Sequence, residues 1–184
     1  MNYYGAKELA ASFRTVRKNT IIIAEEIDEQ RYGFSATPQT RTVAQTLAHI
    51  ALTPRLSLQI HAVERRTALE GFDFMGFFGK LVEDEKAPRS KQELIGALTE
   101  EGDRFAKWLE SVTDDFLGER VAAPAVMKMP DRTRFEMILG VKEHEMHHRS
   151  QLMVMDRMIG MVPHLTREME ARFAAMQSTG KASA

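Results

Sequence analysis

The chain has 184 residues, of which 43% are hydrophobic and 28% are charged, and its formal net charge is −1. This composition is typical of a globular protein, and the length suffices for one domain with a substantial core. The near-neutral charge and the lack of a basic block argue against nucleic acid as a partner. The chain has no cysteine, which excludes disulfides, thiolate metal sites and a cysteine nucleophile.

The N-terminal region carries no continuous apolar segment of signal-peptide type. Its longest aliphatic run, Ile21–Ala24, is far too short to cross a membrane. We therefore expect a cytoplasmic protein without a membrane partner.

Two helices are predicted in the first third of the chain. Residues 6–30 carry apolar side chains at helical spacing, whereas residues 31–39 contain glycine and proline and predict a loop. A second helix should begin near Thr40 or Thr42, since either residue could cap it, and should run to about Val63.

The second helix carries a histidine on its apolar face, His49. Pro54 should kink this helix one turn further on, which either opens space beside His49 or merely bends the helix around the core. His61 lies twelve residues after His49 and about 120° off that face, so we expect it at the surface or at the helix end.

Residues 64–89 form the longest stretch predicted to be irregular. Its segment 71–79 packs four phenylalanines between three glycines, which is typical of neither a helix nor a strand. This Phe-rich segment could cover a pocket, line a subunit contact or close one end of the core.

Two further long helices are predicted in the second half. Ser90–Glu93 has the pattern of a capping box and should open a helix that ends near Thr113. A connection over residues 114–130 follows. Asp131 is a plausible N-cap for the fourth and longest helix, which should run to about Ile159.

Gly160 and Pro163 should end that fourth helix. A short amphipathic helix over residues 165–176 is predicted next, followed by a disordered tail, residues 177–184. Because no segment alternates with period two, the sequence predicts an all-α protein. We expect a single four-helix bundle domain, residues 1–176, with a short additional C-terminal helix.

The fourth helix contains the most informative motif of the chain. His144 and His148 are four residues apart, so both rings project from one helical face with Cβ atoms about 6 Å apart. Two imidazoles at this spacing can bind one metal ion, although buried histidines hydrogen-bonded to neighbours would show the same pattern. The face is otherwise apolar and comprises Met137, Val141, His144, His148, Leu152, Met155 and Ile159.

A third ligand could come from His49, because the second and fourth helices of a bundle can be neighbours. Three histidines leave one coordination position open, as in a catalytic metal site. A water there would have its pKa lowered, or the thiolate of a cosubstrate could take the position. Imidazole suits zinc, nickel, iron or copper, so the ligand type alone does not choose the metal. We expect zinc or nickel, with iron or manganese as alternatives. Carboxylates that could support the rings are Glu143, Glu145, Asp28 and Glu25.

Two other metal sites fit parts of the motif. Residues 144–148 read His-Glu-Met-His-His and satisfy HExxH, with Glu145 as general base and Glu168 as a possible third ligand. A metalloprotease is disfavoured because no strand is predicted and Pro163 separates motif and ligand. A ferritin-like di-iron centre needs a second Glu-x-x-His, and the chain has none.

Two stretches resemble motifs of the DinB family. Residues 42–50, Thr-Val-Ala-Gln-Thr-Leu-Ala-His-Ile, resemble the family's second-helix motif, and residues 143–152, which hold His144 and His148, resemble its later HxxxH motif. The resemblance covers residues 6–160. Ser150 stands where glycine is common, and Arg41 lies near the place of a frequent tryptophan.

The resemblance implies a four-helix bundle, often a homodimer, with a divalent metal on His49, His144 and His148. Several members resemble transferases or isomerases that use a low-molecular-weight thiol, so we expect a metal-dependent thiol transferase. Three alternatives remain: a metal-dependent hydrolase with Glu145 as base, a non-enzymatic metal-binding stress-response module, and a metal-free helical protein whose histidines belong to the core.

Overall fold

A computed structural model describes residues 4–181, and helices dominate that part of the chain. None of its helices combines the length and hydropathy that a membrane span requires. The helices and strands are α1 (Ala6–Glu26), α2 (Val43–Leu52), α3 (Pro54–Leu58), α4 (Phe74–Lys86), α5 (Lys91–Ser111), α6 (Asp114–Gly118), β1 (Arg120–Val121), β2 (Arg132–Thr133), α7 (Arg134–Met158) and α8 (His164–Lys181).

Four of these helices surround an interior that contains two apolar clusters. Helices α1 and α2 each pack against both α5 and α7, so the order around the bundle is α1, α5, α2, α7. The interior consists mainly of aliphatic and phenylalanine side chains from these helices, whose burial drives the packing. The all-α four-helix bundle expected from the sequence is confirmed.

Three of the bundle helices begin at capping boxes. Thr42, Ser90 and Thr133 each accept a hydrogen bond from a backbone N–H three residues later, and the side chain at that position bonds back to the cap. The Ser90 cap is as predicted, whereas Asp131 was the wrong cap for α7. Asp131 instead accepts a hydrogen bond from the backbone of Ala123 and so fixes the preceding loop.

The second predicted helix is interrupted at Pro54, as its sequence indicated. Helix α2 ends at Leu52, α3 restarts at Pro54, and Gln59–Val63 forms a π-helical turn. His61 lies in that turn but is only 2% exposed, and the Nη1 atom of Arg134 lies 3.0 Å from its Nδ1 atom. His61 therefore lies at the helix end, one of the two predicted alternatives, but not at the surface, because this arginine supplies the partner that a buried ring needs.

The segment 64–89 was wrongly predicted to be irregular throughout, because its C-terminal half is the helix α4. Glycine disfavours helices, but Asp73 caps α4 by accepting a hydrogen bond from the backbone of Gly76. A Cβ atom on Gly76 would lie 2.1 Å from the Asp73 carboxylate, so any other residue at this position would make the Asp73 side chain shift. No residue of α4 is buried, and the helix covers α2 from outside the bundle.

The chain departs from the prediction in several smaller ways. Helix α1 ends at Glu26 rather than at residue 30, and α6 lies within the predicted connection over residues 114–130. The two-residue strands β1 and β2 pair antiparallel, Arg120 opposite Thr133, although no strand was expected. Helix α8 runs to Lys181, so the first residues of the predicted tail, 177–181, are helical. The rest of the predicted tail, residues 182–184, lies outside the described residues.

Candidate metal centre

Three histidine rings from two helices meet inside the bundle. The second helix contributes His49, and α7 contributes His144 and His148 from successive turns. The Nε2 atom of His144 lies 3.1 Å from that of His49 and 3.2 Å from that of His148. One ligand atom from each ring lies within 4.8 Å of the others. The structure thus brings together the three residues that the sequence singled out.

The outer nitrogens of two rings are bonded to acceptors. The Nδ1 atom of His49 lies 2.9 Å from a carboxylate oxygen of Glu85, and that of His148 lies 2.8 Å from the amide oxygen of Gln151. Because these oxygens accept hydrogen bonds, each Nδ1 atom carries the proton and donates. The Nε2 atoms of His49 and His148 therefore present lone pairs toward His144.

A cation would satisfy these lone pairs better than the hydrogen bonds that the three rings could form among themselves. The His144 ring could donate one Nε2 proton to only one neighbour, which would leave the other lone pair without a donor. Two nitrogens bound to one tetrahedral zinc ion at about 2.0–2.1 Å are about 3.3 Å apart, close to the spacing found here. A divalent cation would satisfy all three rings, so the residues present fit a metal.

The protonation state of the rings also suits a metal. Burial lowers the pKa of all three histidines, and for His144 the neighbouring rings add to this effect and bring the pKa to about 4. The rings are therefore neutral at pH 7, which is the form that binds metals. The Nδ1 atom of His144 is buried without a hydrogen-bond partner among the described residues. Glu85 and Gln151 therefore orient the rings of His49 and His148, but no described side chain orients the ring of His144 in this way.

Glu145, the candidate general base, takes part in a different cluster. Its carboxylate is 2% exposed and accepts hydrogen bonds from the Nε and Nη2 atoms of Arg17 and from the hydroxyl of Thr20, the last at 2.7 Å. Arg17 also donates to the carbonyl oxygens of Leu98 and Ile50. We call the side chains of Arg17, Thr20 and Glu145 the Arg17 cluster. It ties α7 to α1, α5 and α2, and it occupies both oxygens of Glu145.

Space for the Arg17 cluster depends on one glycine. A Cβ atom on Gly102 would lie 2.9 Å from the Cγ atom of Arg17, closer than real Cβ atoms approach other atoms. Helix α5 therefore passes close to the arginine only because this position has no side chain.

Sequence reasoning missed Glu85, the carboxylate that supports the site. None of the four carboxylates proposed for this role bonds to a ligand ring among the described residues, whereas Glu85 on α4 bonds to His49. One signal existed: Glu85 lies four and eight residues after Leu81 and Phe77, so it would share their face if the segment were read as a helix.

A pocket of about 550 Å³ lies next to the side chains that bond to His49 and His148, although none of the three histidines lines it. Two of its lining residues, Glu85 and Gln151, are the residues bonded to His49 and His148. The remaining wall comes from the loop before α2 and from α7, with Arg41 and Val154 as examples. The pocket is within the size range of small-molecule sites.

The fold and the site define the class of protein: a four-helix bundle with a three-histidine candidate metal centre between its second and last bundle helices. The sequence profile of the DinB superfamily matches residues 12–152, a range that contains all three histidines. The chain belongs to the DinB superfamily. No curated protein sequence matches it.

Solved structures with the same fold share little sequence with this chain. A DinB-like protein from Bacillus subtilis is 18% identical, with 83% of this chain and 92% of that one covered and a TM-score of 0.61. YfiT from Bacillus subtilis, described as a probable metal-dependent hydrolase with an unusual four-helix bundle topology, is 13% identical (88% and 91% covered, TM-score 0.67). The colibactin self-resistance protein ClbS, solved with double-stranded DNA, is 16% identical (83% and 95%, TM-score 0.62).

Proposed function

We propose that this protein is a divalent-metal-dependent enzyme whose metal is held by the Nε2 atoms of His49, His144 and His148. The observation that carries the proposal is the convergence of three neutral imidazoles, two of which are fixed by Glu85 and Gln151 with lone pairs pointing inward. A purely structural zinc site would usually have four protein ligands, and three leave a position for a reactant.

The first candidate reaction joins the sulfur of a low-molecular-weight thiol to an electrophile; the thiol loses its proton to water, and the electrophile releases a leaving group such as a halide. A divalent metal at this site would lower the pKa of a coordinated thiol or water toward neutrality. Glu145 is held by Arg17 and Thr20, and Glu85 is held by His49 and Arg41, so we assign neither a general-base role. Thiol transfer suits such a site because a thiolate, once formed, attacks without a protein base. Imidazole ligands suit zinc and nickel, and we propose one of these as the metal.

A second candidate is metal-dependent hydrolysis, which the description of YfiT favours. The requirement for a thiol cosubstrate distinguishes the two reactions. Thiol transfer predicts a rate that requires both the metal and an added thiol, whereas hydrolysis predicts turnover of an ester or amide without any thiol. We expect the former when the metal-loaded protein is mixed with a chromogenic aryl halide and a panel of small thiols.

The first experiment is elemental analysis of untagged wild-type protein beside His144→Ala and His147→Ala. His147 is an exposed neighbour on the same helix, so it serves as the matched control. We expect about one metal ion per chain in the wild type and in His147→Ala, and none in His144→Ala. Metal-free wild type after incubation with zinc and with nickel would remove the basis for both reactions.

We also propose a homodimer in the cytoplasm. The apolar side chains of Met169 and Phe173 on α8 are half or more exposed, which suits a contact between copies, and sedimentation analysis at several concentrations tests it. The expectation that nucleic acid is not a partner stays a prediction, because ClbS was solved with DNA; a gel-shift assay with double-stranded DNA would test it.

A further inference from the structure

The pocket beside Glu85 and Gln151 contains one positively charged side chain, Arg41. Its Nε and Nη2 atoms donate to the two oxygens of Glu85 at 2.5 and 3.3 Å, and the side chain is 40% exposed. Among the described residues, these are the hydrogen bonds that Arg41 makes, so the two N–H groups of Nη1 remain for a ligand. Glu85 holds the guanidinium in place at the wall of the pocket.

The charges around the pocket favour an anion. With neutral histidines, a bound divalent cation, the positive Arg41 and the negative Glu85 give a local charge of +2. A guanidinium binds carboxylates in a planar, charge-assisted geometry. Glu85 takes the edge of the guanidinium formed by Nε and Nη2, and the N–H groups that remain can pair with the two oxygens of one planar carboxylate.

The rest of the pocket wall is suited to an uncharged part of the same molecule. Ala36, Val154 and Met155 supply apolar surface, and Thr40 and Gln39 supply polar groups near Arg41. Val154 is 55% exposed, so apolar surface is available for a ligand to cover.

We infer that this pocket binds a substrate that carries a carboxylate on an apolar arm, and that Arg41 recognises the carboxylate. The inference rests on the proposed function, since it assigns the substrate class of the same site. Arg41 holds a part of the substrate remote from the reacting atom, and this binding energy orients the substrate beside the metal. Arg41 is thus a specificity-determining residue.

The experiment is an amide NMR titration of the zinc-loaded protein with hexanoate, hexanamide and hexyl phosphate. We expect hexanoate to bind most tightly and to shift the amides of residues 39–41 and 151–155. In Arg41→Gln, hexanoate binding should weaken about tenfold or more, the effect of losing a charge-assisted hydrogen bond, while hexanamide binding stays the same. Arg41→Lys should recover part of the affinity.

Two further variants separate the pocket from the rest of the molecule. Val154→Trp fills the pocket from its exposed side and should abolish hexanoate binding without loss of zinc. Arg172→Gln, on the exposed surface of α8, is the matched charge control and should bind hexanoate as the wild type does.

Three results would overturn the inference. The first is equal hexanoate affinity in Arg41→Gln and wild type, which would indicate that the carboxylate binds the metal alone. The second is tighter binding of hexyl phosphate than of hexanoate. The third is a set of amide shifts that lie outside the pocket. Each of these leaves the proposed metal centre intact. Conversely, failure to bind zinc removes the proposed function, and the same titration of the metal-free protein still tests the dependence on Arg41.

Discussion

Two polar clusters share one stretch of α7 and face different neighbours. On the side toward α1, Glu145 accepts hydrogen bonds from Arg17 and Thr20, so the donors and acceptors of that cluster satisfy one another. On the side toward α2, His144 and His148 meet His49, and their lone pairs converge without enough donors. Both clusters are made of groups that are costly to bury.

The difference separates a structural role from a functional one. A buried ion pair with complete hydrogen bonding stabilises the arrangement of the helices and needs nothing from outside. A buried set of lone pairs is complete only when a cation binds. The α7 members of both clusters lie within residues 144–148, so little more than one turn of this helix carries both roles.

The largest effect on the free energy of unfolding is expected from a substitution in the Arg17 cluster. Glu145→Ala leaves the Arg17 guanidinium buried without its counter-ion, and removing one partner of a buried pair typically lowers the free energy of unfolding by about 3–5 kcal/mol. Urea unfolding of the metal-free protein measures this. The matched control is Glu143→Ala, an exposed carboxylate two residues away, which should change stability by less than about 0.5 kcal/mol. Similar values for the two variants would contradict the distinction between the clusters.

The cluster of His49, His144 and His148 should instead make the stability of the protein depend on metal. Zinc at about 100 times its dissociation constant should raise the free energy of unfolding by about 2.7 kcal/mol in the wild type. In His148→Ala this stabilisation should disappear, while His147→Ala should keep it. Thermal unfolding with zinc and then with excess chelator gives the comparison. An unchanged melting temperature of the wild type in zinc would argue that the histidines are ordinary core residues.

The support of His49 by Glu85 should affect affinity rather than folding. Glu85→Ala removes the acceptor that fixes the ring, and loss of such an outer partner typically weakens metal binding about 10–100-fold. Competition with a chromogenic chelator measures the dissociation constant. Glu83→Ala on the exposed face of the same helix, where Glu83 pairs with Lys86, should bind metal as the wild type does. Equal weakening by both variants would point to a general effect of charge.

A smaller effect, spread over pH, is expected at the contact of His61 and Arg134. Burial, with Arg134 beside it, lowers the pKa of His61 to about 4. Because the unfolded chain binds a proton near pH 6.5 and the native ring does not, the contribution of His61 is complete above pH 6.5 and falls as the pH drops toward 4. One proton gives a slope of at most about 1.4 kcal/mol per pH unit.

Urea unfolding at pH 7 and pH 5 of wild type and His61→Gln tests this slope. The variant should lose less stability between the two pH values than the wild type, because it has no ring to protonate in the unfolded state. If both proteins lose the same amount, His61 is protonated in the native state as well, and the structural contact with Arg134 is different from the one described.

Local rules were enough for much of the fold and for the ligands. The spacing of His144 and His148 and the apolar faces around them pointed to the site, and capping patterns located the starts of α2 and α5. Glu85 was missed because Gly71, Gly76 and Gly79 made the segment before it unlike a helix, so α4 was not predicted. The pairing of Glu85 with His49 spans 36 residues, and no local rule predicts it.

The Arg17 cluster was missed for another reason, namely that charged residues were expected at the surface. A signal was present on both helices. Arg17 lies four residues after Phe13 and three before Thr20, on the apolar face of α1, and Glu145 lies four residues after Val141 on α7. Opposite charges on two apolar faces predict a buried pair, but only once the two helices are known to be neighbours.

The break in the second helix has a consequence for protein engineering. Pro54 has no N–H group, so the carbonyl oxygen of Ile50 lacks its helical partner, and Arg17 donates to that oxygen at 3.2 Å. A designer who replaced Pro54 with a good helix former, to repair an apparent flaw, would add a backbone donor that competes with Arg17 for one acceptor. The irregularity is therefore part of the support of Glu145, and a more regular helix would weaken the centre of the bundle.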